Sequence, residues 1–453
     1  MVAVETQAPP RHPTPSSRLR VAPTRIGVGL LLLLALALRV AYVLHSSSFV
    51  PDVVGNSYDS RSYDNLARGL ATGHGWVAGS SAYRPPGYPF FLAAVYWLVG
   101  VPHPHGLTHT GGWTAVRLVE AVLATGTVAL IGILANQVAG RRVALASLAV
   151  AAVYLPLILV GVSLVAESLL VPLVLGATVC ALHSRHCARR RRWILAAGVL
   201  CGLAALTRGN GVVIAPALAG VVWTGRPRFR RQSLGAPALL LVVTALTIVP
   251  WTIRNAIAQH AFIPVTTELG ATLAGTYNDV AARNHFFWES KYPNYRALRE
   301  NHRLPESVRS SRLLDAVLRY IGEHPTDVPR AMFWNTVRLA DLQGRVISRT
   351  TASSDVEANA STADLAVYVF WAVGLLAIGG LLIQRFRNVP KAFWLIPALI
   401  WLSEAPITTG TPRFRAALDP WIILLAGSAI AATAQGISRR RGSDGQPPSA
   451  AQP

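Results

Sequence analysis

The sequence predicts an all-α, polytopic membrane protein with about ten transmembrane helices and short interfacial helices on its outer face. Three observations predict it. Of 453 residues, 52% are hydrophobic and only 14% charged, where soluble domains run near a quarter charged. Apolar runs approaching the length of a bilayer crossing recur along the chain. The basic residues sit in short clusters between those runs, as membrane topology demands. A mean hydropathy of +0.39 excludes a cytosolic enzyme, a disordered scaffold and a small secreted domain. A formal charge of +21 would suggest nucleic acid in a soluble protein; distributed as it is here it reports topology, and no nucleic-acid partner is expected.

Residues 1–25, rich in Pro, Ser and Arg, are expected to form a disordered cytoplasmic N-terminus. The run 26–46 has basic residues before it and no small-residue cleavage motif after it, so it reads as an anchor rather than a cleaved signal. A first outer loop, 47–112, follows. Spans at 113–138, 143–162, 165–183, 193–206, 211–223 and 234–251 complete an N-terminal transmembrane catalytic module over 26–253. A large outer loop, 254–363, holds helical stretches at Ser307–Glu323 and Pro329–Gln343. Spans at 364–383, 392–404 and 416–434 form the C-terminal membrane helices, and 435–453 is expected to be a disordered cytoplasmic tail.

Charge parity constrains this count. The clusters Arg141–Arg142, Arg185 with Arg189 to Arg192, Arg226 to Arg231, Arg385 to Lys391 and Arg439 to Arg441 all join the N-terminal arginines on one side if ten spans are right. By the positive-inside rule that side is the cytoplasm, which places both termini there and the chain in the plasma membrane. The apolar stretch Gly87–Gly100 would flip every later cluster if it crossed, so it reads as interfacial or re-entrant on the outer face. For the same reason Trp193–Trp223 reads as two short helices turning at Thr207-Arg208-Gly209-Asn210-Gly211. Cys180, Cys187 and Cys201 avoid the long polar segments and imply no disulfide framework.

The outer segments carry the residues suited to chemistry. Asp59 lies at the start of a short helix whose apolar face is Tyr63, Leu66 and Leu70; a helix cap is the plain reading of such an acid. Arg84 is held extended by Pro85 and Pro86, just outside the membrane, beside Tyr88. A planar guanidinium there suits phosphate oxygens, and also a lipid headgroup. Glu167 stands between two spans with little polar company, where an acid is costly and functional by default. Arg208, Arg254 and Arg413 each end or precede a span on the outer side. One such arginine is explained by snorkelling; several together suggest a shared anionic ligand. Arg39, and Arg117 with Glu120 one turn on, read as structural, the last two neutralising each other. His103, His105 and His109 form an outer-loop cluster that could bind a metal.

Together these residues resemble the GT-C membrane glycosyltransferases, glycosyltransferase family 39 in the wide sense, with the aminoarabinose transferases and protein O-mannosyltransferases as kin. The resemblance runs from about Arg39 to Trp421. Its pieces are Asp59-x-x-x-Tyr63 with Leu66-Ala67 and Gly73-x-Gly75, Arg84-Pro-Pro-Gly-Tyr-Pro, Glu167 after Pro156, Leu206-Thr-Arg-Gly-Asn-Gly and Pro250-Trp-Thr-Ile-Arg-Asn. It implies a GT-C-like bundle that moves a sugar from a polyprenyl-phosphate donor to an acceptor hydroxyl on the extracytoplasmic face, with inversion. It implies Asp59 as catalytic base, Glu167 as a second catalytic acid and Arg84 on the donor phosphate. Arg254, Arg413 and Arg208 would complete the phosphate clamp, with Tyr63 and Tyr88 in support. The acceptor would be a glycan, lipid or protein. Ser60 stands where protein O-mannosyltransferases have the second acid of an Asp-Glu pair. With arginines on the leaving phosphate, neither a metal nor a cofactor is expected. The alternative from another class is a transporter or lipid flippase, which would place its site at the membrane midplane between repeated halves.

Overall fold

The computed structural model describes residues 22–46, 58–76, 81–102, 109–224, 231–289, 295–296, 304–356, 358–383, 386 and 389–443. Among these there are helices and turns and no strands, so the chain is all-α. Among the described residues, four helices are long and apolar enough to cross a membrane: Arg25–His45, Trp113–Ala139, Ser233–Gln259 and Ala360–Ile383. Little of Ser233–Gln259 or Ala360–Ile383 is buried, and what each exposes is apolar: Leu246, Ile253 and Ile257 on one, Leu375, Leu381 and Leu382 on the other. Only hydrocarbon wets such a surface at low cost.

The remaining expected spans are shorter or broken, with identifiable reasons. Helix Glu167–His183 buries most of its residues inside the bundle, so it need not match a lipid thickness. The stretch expected as one span over 143–162 is two helices, Arg141–Val153 and Leu155–Val160. Pro156 breaks it, because proline has no N–H to give the Ala152 carbonyl one turn back. Arg39, buried in the first helix, donates Nη1 to that carbonyl at 3.3 Å and to Ala35 O at 2.9 Å. Its role is therefore the structural one expected.

The chain also turns back at Arg208. Helix Arg190–Thr207 ends there, Arg208 is extended, and a 3-10 turn Gly209–Ile214 leads into helix Ala215–Val222. The carbonyls of Val221 and Val222 accept from Arg185 and Arg190, both at 2.5 Å, so the chain has returned to the basic end. Six 3-10 and eight α-helical residues reach about 24 Å, close to the ~27 Å of the 18-residue helix beside them. Gly198 and Gly202 let helix Arg190–Thr207 lie on Arg231–Gln259; a Cβ on either would meet Leu240 O or Thr247 within 3 Å, the small-residue packing that membrane helices use.

Helix Gly87–Val99 has 13 residues, about 20 Å, too short to cross the ~30 Å hydrocarbon core. Tyr88, Leu92 and Tyr96 are buried while Trp97 and Leu98 are 80% and 82% exposed, as for an interfacial helix. The termini differ modestly from expectation. The first helix starts at Ala22, with Pro23 in its first turn where a missing N–H costs nothing. The last runs from Asp419 to Ser443, nine residues past the expected 434. The outer-loop helices are Glu306–Glu323 and Asp327–Leu339, packed with Glu268–Thr276 around Tyr277, Phe286, Leu313 and Val317.

Candidate active site

The functional side chains come from helix ends on the side away from the basic connections. Helix Tyr58–Ala71 carries Asp59 in its first turn; of the face that the sequence periodicity marked, Tyr63 and Leu66 are buried and Leu70 is half-buried. Arg84 precedes helix Gly87–Val99, held by Pro85 and Pro86. Gly87 presses on Thr207, where a Cβ would stand 2.9 Å from the Thr207 backbone; that close approach brings Arg84 beside the Arg208 turn. Glu306 accepts from Ser81 Oγ at 2.6 Å, the Ala82 N–H at 2.9 Å and Thr267 Oγ1 at 2.6 Å. Thr267 N donates to Ala82 O at 3.0 Å. This knot sets Glu268 against Arg84.

The result is one cluster of carboxylates and guanidiniums, with Arg84, Glu167, Glu404 and Arg413 buried and Asp59, Arg208, Glu268 and Asp355 half-buried. Asp59 Oδ1 accepts from Arg84 Nη2 at 2.5 Å, and its Oδ2 from Arg413, 354 residues away in sequence. Arg84 also donates to Glu268 at 2.9 Å and to Ser62 at 3.2 Å, and its guanidinium lies 5.1 Å from the centre of the Tyr63 ring. Glu167 accepts from Arg208, which reaches Glu404 at 3.5 Å. Asn210 donates to Glu404 at 2.6 Å. Arg413 bridges the two halves, lying 3.9 Å from Glu167 and 3.7 Å from Asp355. Phe414 takes Arg208 on its ring at 4.0 Å and Arg413 at 4.8 Å, a contact that holds both cations without spending their donors.

So the structure brings together Asp59, Glu167, Arg84, Arg208 and Arg413, with Tyr63 beneath Arg84. Arg254 is not brought to Asp59. It donates to Ser81 O at 3.0 Å and Asn255 Oδ1 at 3.2 Å, beside the indoles of Trp76 and Trp251. Tyr88 turns its hydroxyl away from the cluster to Glu120, at 2.6 Å, and supports Tyr63 by an edge contact at 5.0 Å. His103 and His105 lie outside the described residues, as does the side chain of His109. Glu268, Glu404 and Asp355 were missed from sequence. Glu404, like Glu167, is an acid at the end of an apolar helix; Glu268 begins helix Glu268–Thr276 and Asp355 lies in helix Arg345–Val356, both in the polar outer segment, where an acid does not stand out.

Three guanidiniums here face five carboxylates, and burial decides who keeps a proton. Burial alone would raise Asp59; Arg84 and Arg413 outweigh it and hold this carboxyl well below the usual range. Burial raises Glu268 despite Arg84, and raises Asp355 despite Arg413. Asp59 is thus held as the anion, and Glu268 and Asp355 lose their protons at higher pH than free carboxyls do. Arg413, 9% exposed, has an Nη1 with no hydrogen-bond partner among the described residues. It lines a cavity of about 50 Å³ with Arg415, the carboxylates Asp341, Asp355 and Asp419, and the apolar Leu159, Val356 and Ala363. Among the described residues, no group of three or more His, Cys, Asp or Glu could hold a metal ion.

The bundle shares its fold with a solved archaeal oligosaccharyltransferase. A family model described as Dolichyl-phosphate-mannose-protein mannosyltransferase matches residues 83–253, the stretch from Arg84 through Arg208. The oligosaccharyltransferase of Archaeoglobus fulgidus superposes with a TM-score of 0.57 at 14% identity, over 95% of this chain and 52% of that one. The same archaeal enzyme, named AglB, in complex with an inhibitory peptide and a dolichol-phosphate, gives 0.55 at 12% identity, over 96% and 53%. The chain thus spans about half the length of these oligosaccharyltransferase chains, and at these identities the likeness is one of fold. ArnT from Cupriavidus metallidurans bound to undecaprenyl phosphate is similar at 14% identity over 96% of this chain and 82% of that one, with a TM-score of 0.39, too loose a superposition to carry weight. No curated protein sequence matches the chain.

Proposed function

We propose that the protein is a glycosyltransferase that moves a sugar from a polyprenyl phosphate to an acceptor hydroxyl at the outer face of the plasma membrane, with inversion. The observation that carries this reading is the meeting of Asp59, Arg84 and Arg413 in one cluster, with an Arg413 donor that has no hydrogen-bond partner among the described residues. The archaeal neighbour is described with a dolichol-phosphate, which agrees with such a donor here. The site lies at helix ends opposite the basic connections, so the positive-inside rule puts it outside and both termini inside. Residues 26–253 and 364–434 then serve as membrane modules and 254–363 as an outer loop over the site. A transporter would want its charges at the midplane, away from where these gather.

In the reaction, the donor phosphodiester takes the Arg413 and Arg84 donors, with Arg208 behind them. Asp59, relieved of its cations, regains proton affinity and becomes able to act as a base. The acceptor oxygen attacks the anomeric carbon from the face opposite the phosphate while its proton passes to an Asp59 oxygen. The bond from the anomeric carbon to the phosphate oxygen breaks, its electron pair stays on that oxygen, and the arginines stabilise the second charge that forms there. General base catalysis of this kind gives ~10²–10⁴-fold. Glu167, tied to Arg208, fixes that arginine's direction.

Membranes containing the protein, supplied with a panel of radiolabelled polyprenyl-phosphate sugars, should yield labelled product from one of them. Asp59→Asn should abolish transfer with unchanged expression and membrane insertion. Near wild-type transfer by that variant would remove Asp59 from the reaction.

A further inference from the structure

Glu120 is fully buried in helix His109–Ala139, away from the carboxylate–guanidinium cluster, and its bonding is not what a structural ion pair requires. Arg117, one turn before it, donates to Val162 O at 2.8 Å, Ser46 O at 2.9 Å and Ser46 Oγ at 2.9 Å. Glu120 instead accepts three bonds from two other parts of the chain. Its Oε1 takes the Tyr88 hydroxyl at 2.6 Å and the Ser168 hydroxyl at 2.9 Å, and its Oε2 takes the backbone N–H of Leu164 at 3.1 Å.

Between them the donors reach both halves of the cluster: Tyr88 one, Ser168 and Leu164 the other. Tyr88 meets the Tyr63 ring edge-on at 5.0 Å, and Tyr63 lies under the Arg84 guanidinium. Ser168 is the residue after Glu167. Leu164 is in the turn that delivers Glu167, and it holds a φ of +50°, a left-handed conformation that a leucine adopts only when its surroundings compel it. Leu164 is fully buried in one apolar cluster with Tyr63 and Tyr88. The Glu120 bond to its N–H closes that compulsion.

We propose that Glu120 is a positioning residue for sugar transfer. One buried carboxylate ties the Arg84 side of the site to the Glu167 side and sets the distance between them. This rests on the reading above that the cluster performs the transfer. A misplacement of about 1 Å in such a constellation can cost ~10²-fold in rate.

The test uses the full-length protein in membranes. Glu120→Leu keeps the bulk and removes both acceptors; kcat should fall ~10²-fold while the donor KM stays within about twofold. Glu120→Gln can still accept from Leu164 and donate to the two hydroxyls, so it should retain most of kcat. Tyr88→Phe and Ser168→Ala each remove one donor and leave the carboxylate; each should lower kcat, and they keep the question open to measurement if Glu120→Leu does not fold. Equal kcat losses in the Leu and Gln variants, or a Leu variant within about threefold of wild type, would overturn the proposal. If the wild type transfers no sugar from any donor, the transferase reading fails first. The tie is then read by amide exchange: loss of Glu120 should open the segments around Arg84 and around Glu167 together, and protection unchanged in either segment would overturn it.

Discussion

Arg413→Ala separates the roles in the cluster most sharply. Arg413 is the side chain that touches Asp59, approaches Glu167 and Asp355, and still has a free donor. Its removal takes one cation from the leaving phosphate, and loss of one donor of that type costs ~10²–10³-fold in kcat, about 2.7–4 kcal/mol. The stability cost should be smaller. Breaking a buried ion pair outright costs ~3–5 kcal/mol, but Asp59 keeps Arg84 and Glu167 keeps Arg208. Asp355, already pushed up by burial, can simply take a proton. The pH dependence follows in sign. The folded-state pKa of Asp59 is depressed, so its stabilisation is full above the unfolded value of about 3.9 and is lost as pH falls through the folded value. Without Arg413 that depression shrinks and Asp355 rises further. The stability deficit against wild type should therefore be full at neutral pH and narrow on acidification through the carboxylate range. The assay is labelled-sugar transfer at saturating donor, beside thermal melting of the detergent-purified protein across pH. Transfer within about threefold of wild type, or a deficit that widens on acidification, would refute the argument.

Gly87→Ala places a methyl group 2.9 Å from the Thr207 backbone, which cannot swing aside; melting temperature should drop by the equivalent of ~1–3 kcal/mol, and transfer should fall because Arg84 shifts with the helix start. Arg39→Leu should destabilise the wild type more than a Pro156→Ala protein, since alanine restores an N–H for the Ala152 carbonyl that Arg39 otherwise serves; a double-mutant cycle on melting temperatures gives the coupling. Arg254→Ala should leave kcat within about tenfold of wild type while loosening the segment at Ser81, read as faster proteolysis of the outer loop.

Much of this was legible before any coordinates, for physical reasons that differ by residue. Asp59 and Arg84 could be singled out because the chemistry of their neighbours restricts them: a helix start for one, two prolines for the other. Glu167 stood out because acids are expensive in apolar surroundings. The return at Arg208 followed from charge parity, and the carbonyls of Val221 and Val222 on Arg185 and Arg190 record it. Arg254 shared every local feature of Arg208 and yet points elsewhere; a span-end arginine is placed by what packs beside it, here Trp76 and Trp251, and sequence spacing does not carry that. Glu268 reaches Arg84 only through the Glu306 knot, a contact across 184 residues, and no local pattern announces it. The break at Pro156 was visible as a proline, but its cost is cancelled by Arg39 from another helix, so its effect on the span could not be weighed from the segment alone.

The excess of carboxylates over guanidiniums looks wrong for an anion-binding site until the charge is followed through the proposed reaction. Before transfer, the donor diester carries one negative charge and Asp59 another. Afterwards Asp59 is neutral, having taken the acceptor's proton, and the leaving phosphate carries two. The total is unchanged; only its location moves, from the Asp59 carboxylate to the phosphate. Arg84 and Arg413 are the groups that sit on Asp59 at rest, and they are also the donors best placed for the phosphate. They can follow the charge across the site by shifting donors from one anion to the other, with no new cation recruited and little reorganisation of the surrounding dipoles. Glu268 lies 2.9 Å from Arg84 and Asp355 3.7 Å from Arg413, so each arginine has a second acid beside it. Glu167 and Glu404 hold Arg208 from behind. In this arrangement the acids are what fix three arginines in a buried pocket when no phosphate is there, and without them those cations would be too costly to keep in place.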